Sequence, residues 1–262
     1  MSRSTALSTT ILTGLFLAAG CIHFTPFRYN IHVINIALQR SPETGLIYRV
    51  RRGAAHGPLV VMIHGLGGDE NVMWVFDRAI PTLATAISPR APIQIEAGLP
   101  YAAEVQGGYS WVRPTPAREV DQADLADAID LMRRFIGEAI QTYEIDPQKV
   151  ILMGFSQGAA LTYALSLAAP DLISGVIALA GFLPASASPR TAQHAAHFPR
   201  HGYLIIHGLE DDTVLIGEAR RARSILESIG APVEYHEYPI GHKLPAQGMQ
   251  DIAQWLKRVL DL

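Results

Sequence analysis

A serine enclosed by glycines carries the clearest chemical signal in the chain. Residues Gly154–Gly158 read Gly-Phe-Ser-Gln-Gly. This stretch directly follows an apolar run that predicts a buried strand and directly precedes a helical pattern, which is the context in which a Gly-x-Ser-x-Gly turn presents a nucleophile. We therefore expect Ser156 to stand at the carboxyl edge of a sheet, where ligands bind in open α/β folds. The alternative is a glycine-rich turn in which the serine only caps the helix.

A serine nucleophile needs a base and an acid, and the chain offers both downstream. The hydroxyl is weakly nucleophilic at neutral pH, so an adjacent histidine must accept its proton while a carboxylate orients that histidine. Asp211 follows a predicted strand, and His242 lies in the loop before the last predicted helix, in the order Ser, Asp, His. Glu210 and Asp212 flank the aspartate, so spacing leaves three candidate acids, of which we take Asp211.

A second glycine-rich turn supplies candidate donors for a developing negative charge. His64-Gly65-Leu66-Gly67-Gly68 follows another apolar run and resembles the turns that form half of an oxyanion hole. We expect the main-chain N–H groups of Leu66 and Gln157 to converge on a carbonyl oxygen as it becomes tetrahedral. A plain tight turn is the alternative.

The elements that must position these residues alternate along the chain. Continuous apolar runs predict strands buried on both faces at 59–63, 150–153, 173–180 and 203–206, and further strands are predicted at 47–50 (antiparallel, at an edge), 91–95 and 233–238. Helical patterns cover 119–143, 158–169, 216–229 and 249–260. This alternation predicts one three-layer α/β domain with a mostly parallel sheet between helices. The short stretch from Gly181 to His201 leaves little material for a lid.

The first 21 residues have the pattern of an export signal. One positive charge precedes an uncharged run from Ala6 to Ala19, which is too short to cross a bilayer of about 30 Å comfortably. Small residues then lead to Cys21, the only cysteine, so the segment resembles a bacterial lipoprotein signal in which that cysteine is lipidated. An ordinary signal peptide and an uncleaved anchor are the alternatives. We expect residues 1–21 to be a signal peptide, residues 22–262 to form the folded domain, and the protein to be exported to the cell envelope, with membrane attachment through Cys21.

Composition excludes several classes of protein. Apolar residues make up 49% of the 262 residues and charged residues 17%, which excludes a disordered chain. The net charge of −3 lacks the basic excess of a nucleic-acid binder. One cysteine rules out an internal disulfide and a thiolate-clustered zinc site. His194, His197 and His201 have metal-compatible spacing, but Pro199 interrupts any helix that would align them, so we expect no metal or other cofactor.

Together these motifs resemble the phospholipase/carboxylesterase branch of the α/β-hydrolases, which includes acyl-protein thioesterases and small bacterial esterases. The resemblance covers about residues 55–262 and rests on His64–Gly68, Gly107–Trp111, Ile145–Pro147, Gly154–Gly158, Asp211 with Val214, and Gly241–His242. It implies Ser156 as nucleophile, Asp211 and His242 as its partners, and an oxyanion hole from the Leu66 and Gln157 amides. It also implies a place for Trp111 beside the substrate cleft, where the ring lines the pocket or packs in the core.

The function that these patterns predict is a cofactor-free serine esterase. It would cleave carboxylic ester or thioester bonds through an acyl-enzyme intermediate. A second interpretation, which export favours, is an esterase acting on feruloyl or acetyl groups of polysaccharides, or a polyester depolymerase. A hydrolase-fold protein that binds ligands without catalysis is the third.

Overall fold

An eight-stranded sheet dominates the computed structural model, which describes residues 36–96, 107–113, 120–187 and 202–261. In chain order the strands are β1 (Ala37–Arg40), β2 (Ile47–Arg51), β3 (Leu59–Ile63), β4 (Thr85–Pro89), β5 (Ile93–Gln94), β6 (Tyr109–Ser110), β7 (Val150–Phe155), β8 (Gly175–Leu179), β9 (Gly202–Gly208) and β10 (Val233–Tyr238). The sheet order is β1-β2-β4-β3-β7-β8-β9-β10, and β5 pairs with β6 in a separate ribbon. The neighbours from β4 to β10 pair in parallel, whereas β1 and β2 are antiparallel additions.

Helices cover both faces of this sheet. They are α1 (Gln122–Thr142), α2 (Gln157–Ala168), α3 (Ile216–Ser228) and α4 (Ala246–Val259), with 3-10 helices at Val72–Ala79 and Pro170–Leu172. The α1 helix begins where the Asp121 side chain accepts hydrogen bonds from two main-chain N–H groups of the first turn. The helices α1, α2 and α3 bury their apolar residues on one face, while α4 and the 3-10 helix Val72–Ala79 bury theirs on the other.

The central strands are apolar on both faces because they lie between these helical layers. In β3, Val61 and Ile63 belong to the core on the α2 side, whereas Val60 and Met62 belong to the core on the α4 side. Alternate side chains of a strand point to opposite faces, so a continuous apolar run is what a two-sided core requires. The prediction of a three-layer, mostly parallel α/β fold is confirmed.

Two strand predictions need correction. The stretch 91–95 contributes only the short β5, and the neighbouring sheet strand is β4, which the sequence analysis missed. Its residues, Thr-Ala-Ile-Ser-Pro, include one large apolar side chain, Ile87, and so form no continuous apolar run, although all five are buried. The predicted edge strand is antiparallel, as expected, but β1 covers it, so β2 lies one place inside the sheet.

Several sequence predictions fall outside the described residues. They concern the signal segment 1–21 with Cys21, and the histidines at positions 194, 197 and 201. Within the described ranges, no helix is both long enough and apolar enough to span a membrane.

Candidate active site

Ser156 occupies a strained turn between β7 and α2. Its φ of 54° and ψ of −117° are values that residues other than glycine rarely adopt and that persist mainly at functional sites. Glycines on either side make the turn sterically feasible. A Cβ added at Gly154 would lie 2.3 Å from the carbonyl oxygen of Gly158, and one added at Gly158 would lie 2.1 Å from that of Ile63. The first turn of α2 is therefore packed directly against β3 and β7, which holds the serine in its strained conformation.

The glycine-rich turn after β3 lies beside this serine. A Cβ built on Gly65 would come within 3.2 Å of the Cβ of Ser156. Among the described residues, no acceptor pairs with the main-chain N–H of Leu66 or with that of Gln157. The Gln157 N–H also belongs to the first turn of α2, where the helix dipole favours negative charge. Two unpaired donors are thus available next to the serine.

A buried histidine fixes the geometry of that turn. His64 is fully buried, its Nε2 accepts a hydrogen bond from the Ala91 main-chain N–H at 3.0 Å, and its Nδ1 lies 2.7 Å from the Gly65 carbonyl oxygen. Because the amide can only donate, the ring hydrogen must be on Nδ1, which donates to Gly65. Burial lowers the pKa of His64 below its ordinary value, which favours this neutral form.

An ion pair anchors the far end of the same turn. Arg90 contacts the Glu70 carboxylate in bidentate fashion, with Nε–Oε2 and Nη2–Oε1 distances of 2.6 and 2.8 Å. Its guanidinium also lies over the Tyr109 ring, 4.8 Å from the ring centroid. The hydrogen bonds from Arg90 lower the pKa of Glu70, and those to Glu70 raise the pKa of Arg90.

Trp111 joins this turn to the helix α2, which follows Ser156, from inside the protein. The residue is 2% exposed, and its indole Nε1 donates to the His64 carbonyl oxygen at 2.9 Å. Its main-chain N–H donates to the Gln157 Oε1 at 3.0 Å, and the Gln157 Nε2 donates to the Ser110 Oγ at 3.0 Å. This burial favours the packing alternative for Trp111. A substrate contact stays a prediction.

Asp211 and His242 are in direct contact. The His242 Nδ1 lies 2.7 Å from the Asp211 Oδ2, and the Asp211 side chain is fully buried, whereas that of His242 is 20% exposed. The other carboxylate oxygen accepts hydrogen bonds from the main-chain N–H groups of Thr213 and Val214, at 2.9 and 2.8 Å. Of the three adjacent acids, Asp211 is the one paired with His242, and both of its neighbours are exposed.

The histidine ring lies beside the serine turn. Its centroid is 4.9 Å from that of the Phe155 ring, and Phe155 immediately precedes Ser156. The loop that carries His242 is also tied to the loop that carries Asp211, because the Glu210 main-chain N–H donates to the Ile240 carbonyl oxygen at 3.0 Å. The three side chains predicted from separate parts of the sequence therefore belong to loops at one edge of the sheet.

Sequence reasoning missed the residues that support this arrangement. The Glu70–Arg90 pair and the Gln157 side-chain bridge join parts of the chain that no local pattern relates. A second buried histidine, His207, accompanies the Asp211 loop, and it had a visible signal. It is followed by glycine at the end of a strand, just as His64 is.

Metal ligation finds no support in the described ranges. No group of three or more His, Cys, Asp or Glu side chains there is arranged to hold a metal ion.

Comparison with known proteins gives matches along most of the chain. A family model described as Phospholipase/Carboxylesterase matches residues 50–260. A probable carboxylesterase, SOBER1-like, from Arabidopsis thaliana is 32% identical over 139 residues, which is 53% of this chain and 52% of the relative. The chain thus matches about half the length of that protein. Acyl-protein thioesterase 1 from Aspergillus fumigatus is 26% identical over 222 residues, 78% of this chain and 89% of the relative.

The solved structures agree with these matches at the level of the fold. A carboxylesterase from Mesorhizobium loti superposes with a TM-score of 0.71 at 21% identity, covering 84% of this chain and 98% of that one. That likeness shows the architecture of the sheet and its flanking helices. Because the family model extends over most of the folded domain, the chain belongs to the phospholipase/carboxylesterase family of α/β-hydrolases.

Proposed function

We propose that this protein is a serine hydrolase that cleaves carboxylic ester or thioester bonds through an acyl-enzyme. Three features at the same edge of the sheet support the proposal: a strained Ser156, two unpaired main-chain N–H groups beside it in the described structure, and the His242–Asp211 pair, whose ring contacts Phe155. Relatives named as a carboxylesterase and an acyl-protein thioesterase support the bond type.

The first half of the reaction transfers the acyl group to the enzyme. As the Ser156 Oγ attacks the substrate carbonyl carbon, the His242 Nε2 accepts the hydroxyl proton. The carbonyl oxygen becomes an oxyanion that the N–H groups of Leu66 and Gln157 stabilise. When the tetrahedral intermediate collapses, the bond to the alcohol or thiol breaks, and His242 delivers its proton to that leaving group.

The second half repeats the sequence with water. His242 removes a proton from a water molecule that attacks the acyl-enzyme, the same two N–H groups hold the oxyanion, and the proton returns to Ser156 as the carboxylic acid leaves. Throughout, the buried Asp211 carboxylate keeps the His242 Nδ1–H pointed toward itself and stabilises the imidazolium. This leaves Nε2 as the nitrogen that exchanges protons.

Apolar side chains on the loops around the site favour substrates with an apolar acyl or alcohol group. Leu66, Leu209 and Leu215 are 39%, 45% and 66% exposed and follow β3 and β9 at their carboxyl ends. Apolar surface that stays exposed on loops bearing a reactive group is suited to contact an apolar ligand. Feruloyl or acetyl esters of polysaccharides, and polyesters, are alternative substrates.

A fluorophosphonate probe tests the proposal directly. It reacts readily with an activated serine and not with an ordinary one, so we expect labelling of the wild-type protein at Ser156. Ser156→Ala should abolish labelling while the circular dichroism spectrum stays unchanged. Failure of the folded wild-type protein to react, under conditions that label a known esterase, would favour a binding protein without catalysis. A panel of p-nitrophenyl esters of increasing chain length, alongside feruloyl and acetyl esters, then ranks the substrates.

The amino-terminal segment supports a second proposal about location. A short apolar run ending in small residues before Cys21 leads us to propose export, with lipid attachment at that cysteine. Expression in a bacterial host with an alkyne-bearing fatty acid should label the membrane fraction of the wild-type protein. Labelling that persists in Cys21→Ser would contradict the proposed site.

A further inference from the structure

His207 is a buried histidine that the proposed mechanism leaves unused. It lies near the carboxyl end of β9 and is 1% exposed. Its Nε2 is 2.7 Å from the carbonyl oxygen of Val214. Since a carbonyl oxygen can only accept, Nε2 must carry the ring hydrogen. The other nitrogen, Nδ1, is buried and meets no hydrogen-bond partner among the residues that the structure describes.

A buried imidazole with only one of its two ring nitrogens hydrogen-bonded is less favourable for stability than an apolar side chain would be. A polar atom that is removed from water without a partner destabilises the fold, and an apolar side chain of similar size would avoid that cost. The hydrogen bond that the His207 ring donates to Val214 is therefore the feature to explain. That bond goes to the loop that carries the acid of the proposed triad.

The His207 contact is made to Val214, a residue whose main chain also binds Asp211. The N–H of Val214 donates to the Asp211 Oδ1 at 2.8 Å, while the carbonyl oxygen of the same residue accepts from His207. Val214 thus links His207 on β9 to the Asp211 carboxylate. The His207 Nε2 also lies 3.4 Å from the Asp211 Oδ2, the oxygen that contacts the His242 Nδ1 at 2.7 Å.

We propose that His207 is a positioning residue for the catalytic acid. Its Nε2–H fixes the turn from Asp211 to Val214 against β9 and places the positive end of an N–H dipole beside the Asp211 Oδ2. The carboxylate is then held in the orientation that meets His242. This inference rests on the proposed hydrolase function, because it assigns His207 a part in keeping that triad assembled.

Two substitutions distinguish the hydrogen bond that the His207 Nε2–H donates from the space that the side chain fills. His207→Phe fills the site without a donor, whereas His207→Gln places an amide N–H at about the reach of the imidazole Nε2. Because small displacements of a catalytic group are costly, we expect His207→Phe to lower kcat by about 10- to 100-fold with KM within about twofold. His207→Gln should recover most of that loss. Equal defects in the two variants, or an unchanged kcat in folded His207→Phe, would overturn the proposal.

A spectroscopic readout keeps this test independent of turnover. The hydrogen between the His242 Nδ1 and Asp211 should give a far-downfield proton resonance in the wild-type protein and none in Asp211→Asn. We expect this resonance to broaden or move upfield in His207→Phe and to persist in His207→Gln. If no ester is hydrolysed while the resonance behaves as expected, the proposed function fails and the positioning role stands. An unaltered resonance in His207→Phe would refute the role itself.

The wild-type protein provides a last check that needs no variant to fold. Nitrogen-15 labelling of histidine reports which ring nitrogen carries the hydrogen. We expect the His207 ring hydrogen on Nε2, the nitrogen that faces the Val214 carbonyl oxygen. A hydrogen on Nδ1 would rule out donation to the acid loop.

Discussion

Two His-Gly pairs, His64-Gly65 after β3 and His207-Gly208 at the end of β9, lie on opposite sides of β7, the strand that leads to Ser156. Both imidazoles are buried and contact a main-chain carbonyl oxygen at 2.7 Å. They differ in the second ring nitrogen, which in His64 accepts from the Ala91 N–H and in His207 has no partner in the described structure.

The difference follows from what each loop must hold. In the proposed mechanism, the loop after β3 keeps main-chain N–H groups in place and unpaired, and its histidine binds backbone through both ring nitrogens. The loop after β9 is proposed to orient one carboxylate, and its histidine binds a single carbonyl oxygen next to that acid. The same dipeptide at a strand end thus has two different roles. In His64 both ring nitrogens bind main-chain groups, whereas in His207 only Nε2 does.

The largest effect is expected at the acid that the second pair supports. Asp211→Asn removes the charge that orients and stabilises the His242 ring, so kcat should fall by about 10⁴-fold. The exposed neighbour offers a matched control, and Asp212→Asn should stay within about twofold of the wild-type protein. Steady-state hydrolysis of a p-nitrophenyl ester measures both. Comparable losses in the two variants would mean that the acid is not confined to position 211.

Stability distinguishes the two histidines themselves. His64→Phe leaves the Ala91 N–H without a partner, at about 1–3 kcal/mol, and removes one of the two hydrogen bonds that the Gly65 carbonyl oxygen accepts, at about 0.5–1.5 kcal/mol. We therefore expect the free energy of unfolding to fall by about 1.5–4.5 kcal/mol. His207→Phe leaves only the half-buried Val214 carbonyl oxygen without a partner and also removes the unpaired buried Nδ1, so its loss should be smaller, below about 2 kcal/mol. Urea unfolding followed by tryptophan fluorescence measures both values. The reverse order would contradict the contrast drawn between the two loops.

The Gln157 side chain tests how far the first loop depends on its neighbours. Gln157→Ala keeps the main-chain N–H proposed for the oxyanion hole but loses the hydrogen bonds to Ser110 and Trp111. Because these bonds position the turn, we expect kcat to fall by about 10-fold. Gln141→Ala, at an exposed position on α1, is the control. A kcat equal to that of the control would show that the bridge is dispensable.

The smallest effect is expected at the Glu70–Arg90 pair, and it depends on pH. The pKa of Glu70 is lower in the folded protein than its ordinary value of 4.5, so the pair stabilises the fold above that pH and loses this contribution as the pH falls through the folded value. Glu70→Gln should cost about 1 kcal/mol at neutral pH, and the difference from wild type should shrink below about pH 4.5. Thermal unfolding of both proteins across this pH range tests the prediction. A stability difference that increases as the pH falls would contradict it.

Local patterns predicted the main strands and Ser156 because each is specified by neighbours in sequence. A continuous apolar run specifies a strand buried on both faces, and glycines two positions either side of a serine specify a tight turn. The strand β4 was missed because it has a single large apolar residue and therefore no such pattern, although all five of its residues are buried. Family membership and the three-layer fold, both expected from the sequence, are confirmed by the comparisons.

The supporting residues were beyond the reach of sequence because their partners are distant along the chain. Asp211 is distinguished from Glu210 and Asp212 by its burial and by its contact with His242, and both depend on how the loop folds against β9. The hydrogen bonds of His64 to Ala91 and of Gln157 to Trp111 likewise exist only once the strands have paired. Residue types alone predicted the proposed chemistry, whereas the contacts that would make it efficient are seen only in the structure.

Rapid-quench mass spectrometry of the intact protein tests the central claim most directly. After mixing with a p-nitrophenyl ester, the wild-type protein should gain the mass of one acyl group, which peptide mapping places on Ser156, and the adduct should disappear as product acid accumulates. Ester hydrolysis without any adduct, or an adduct on another residue, would contradict the account.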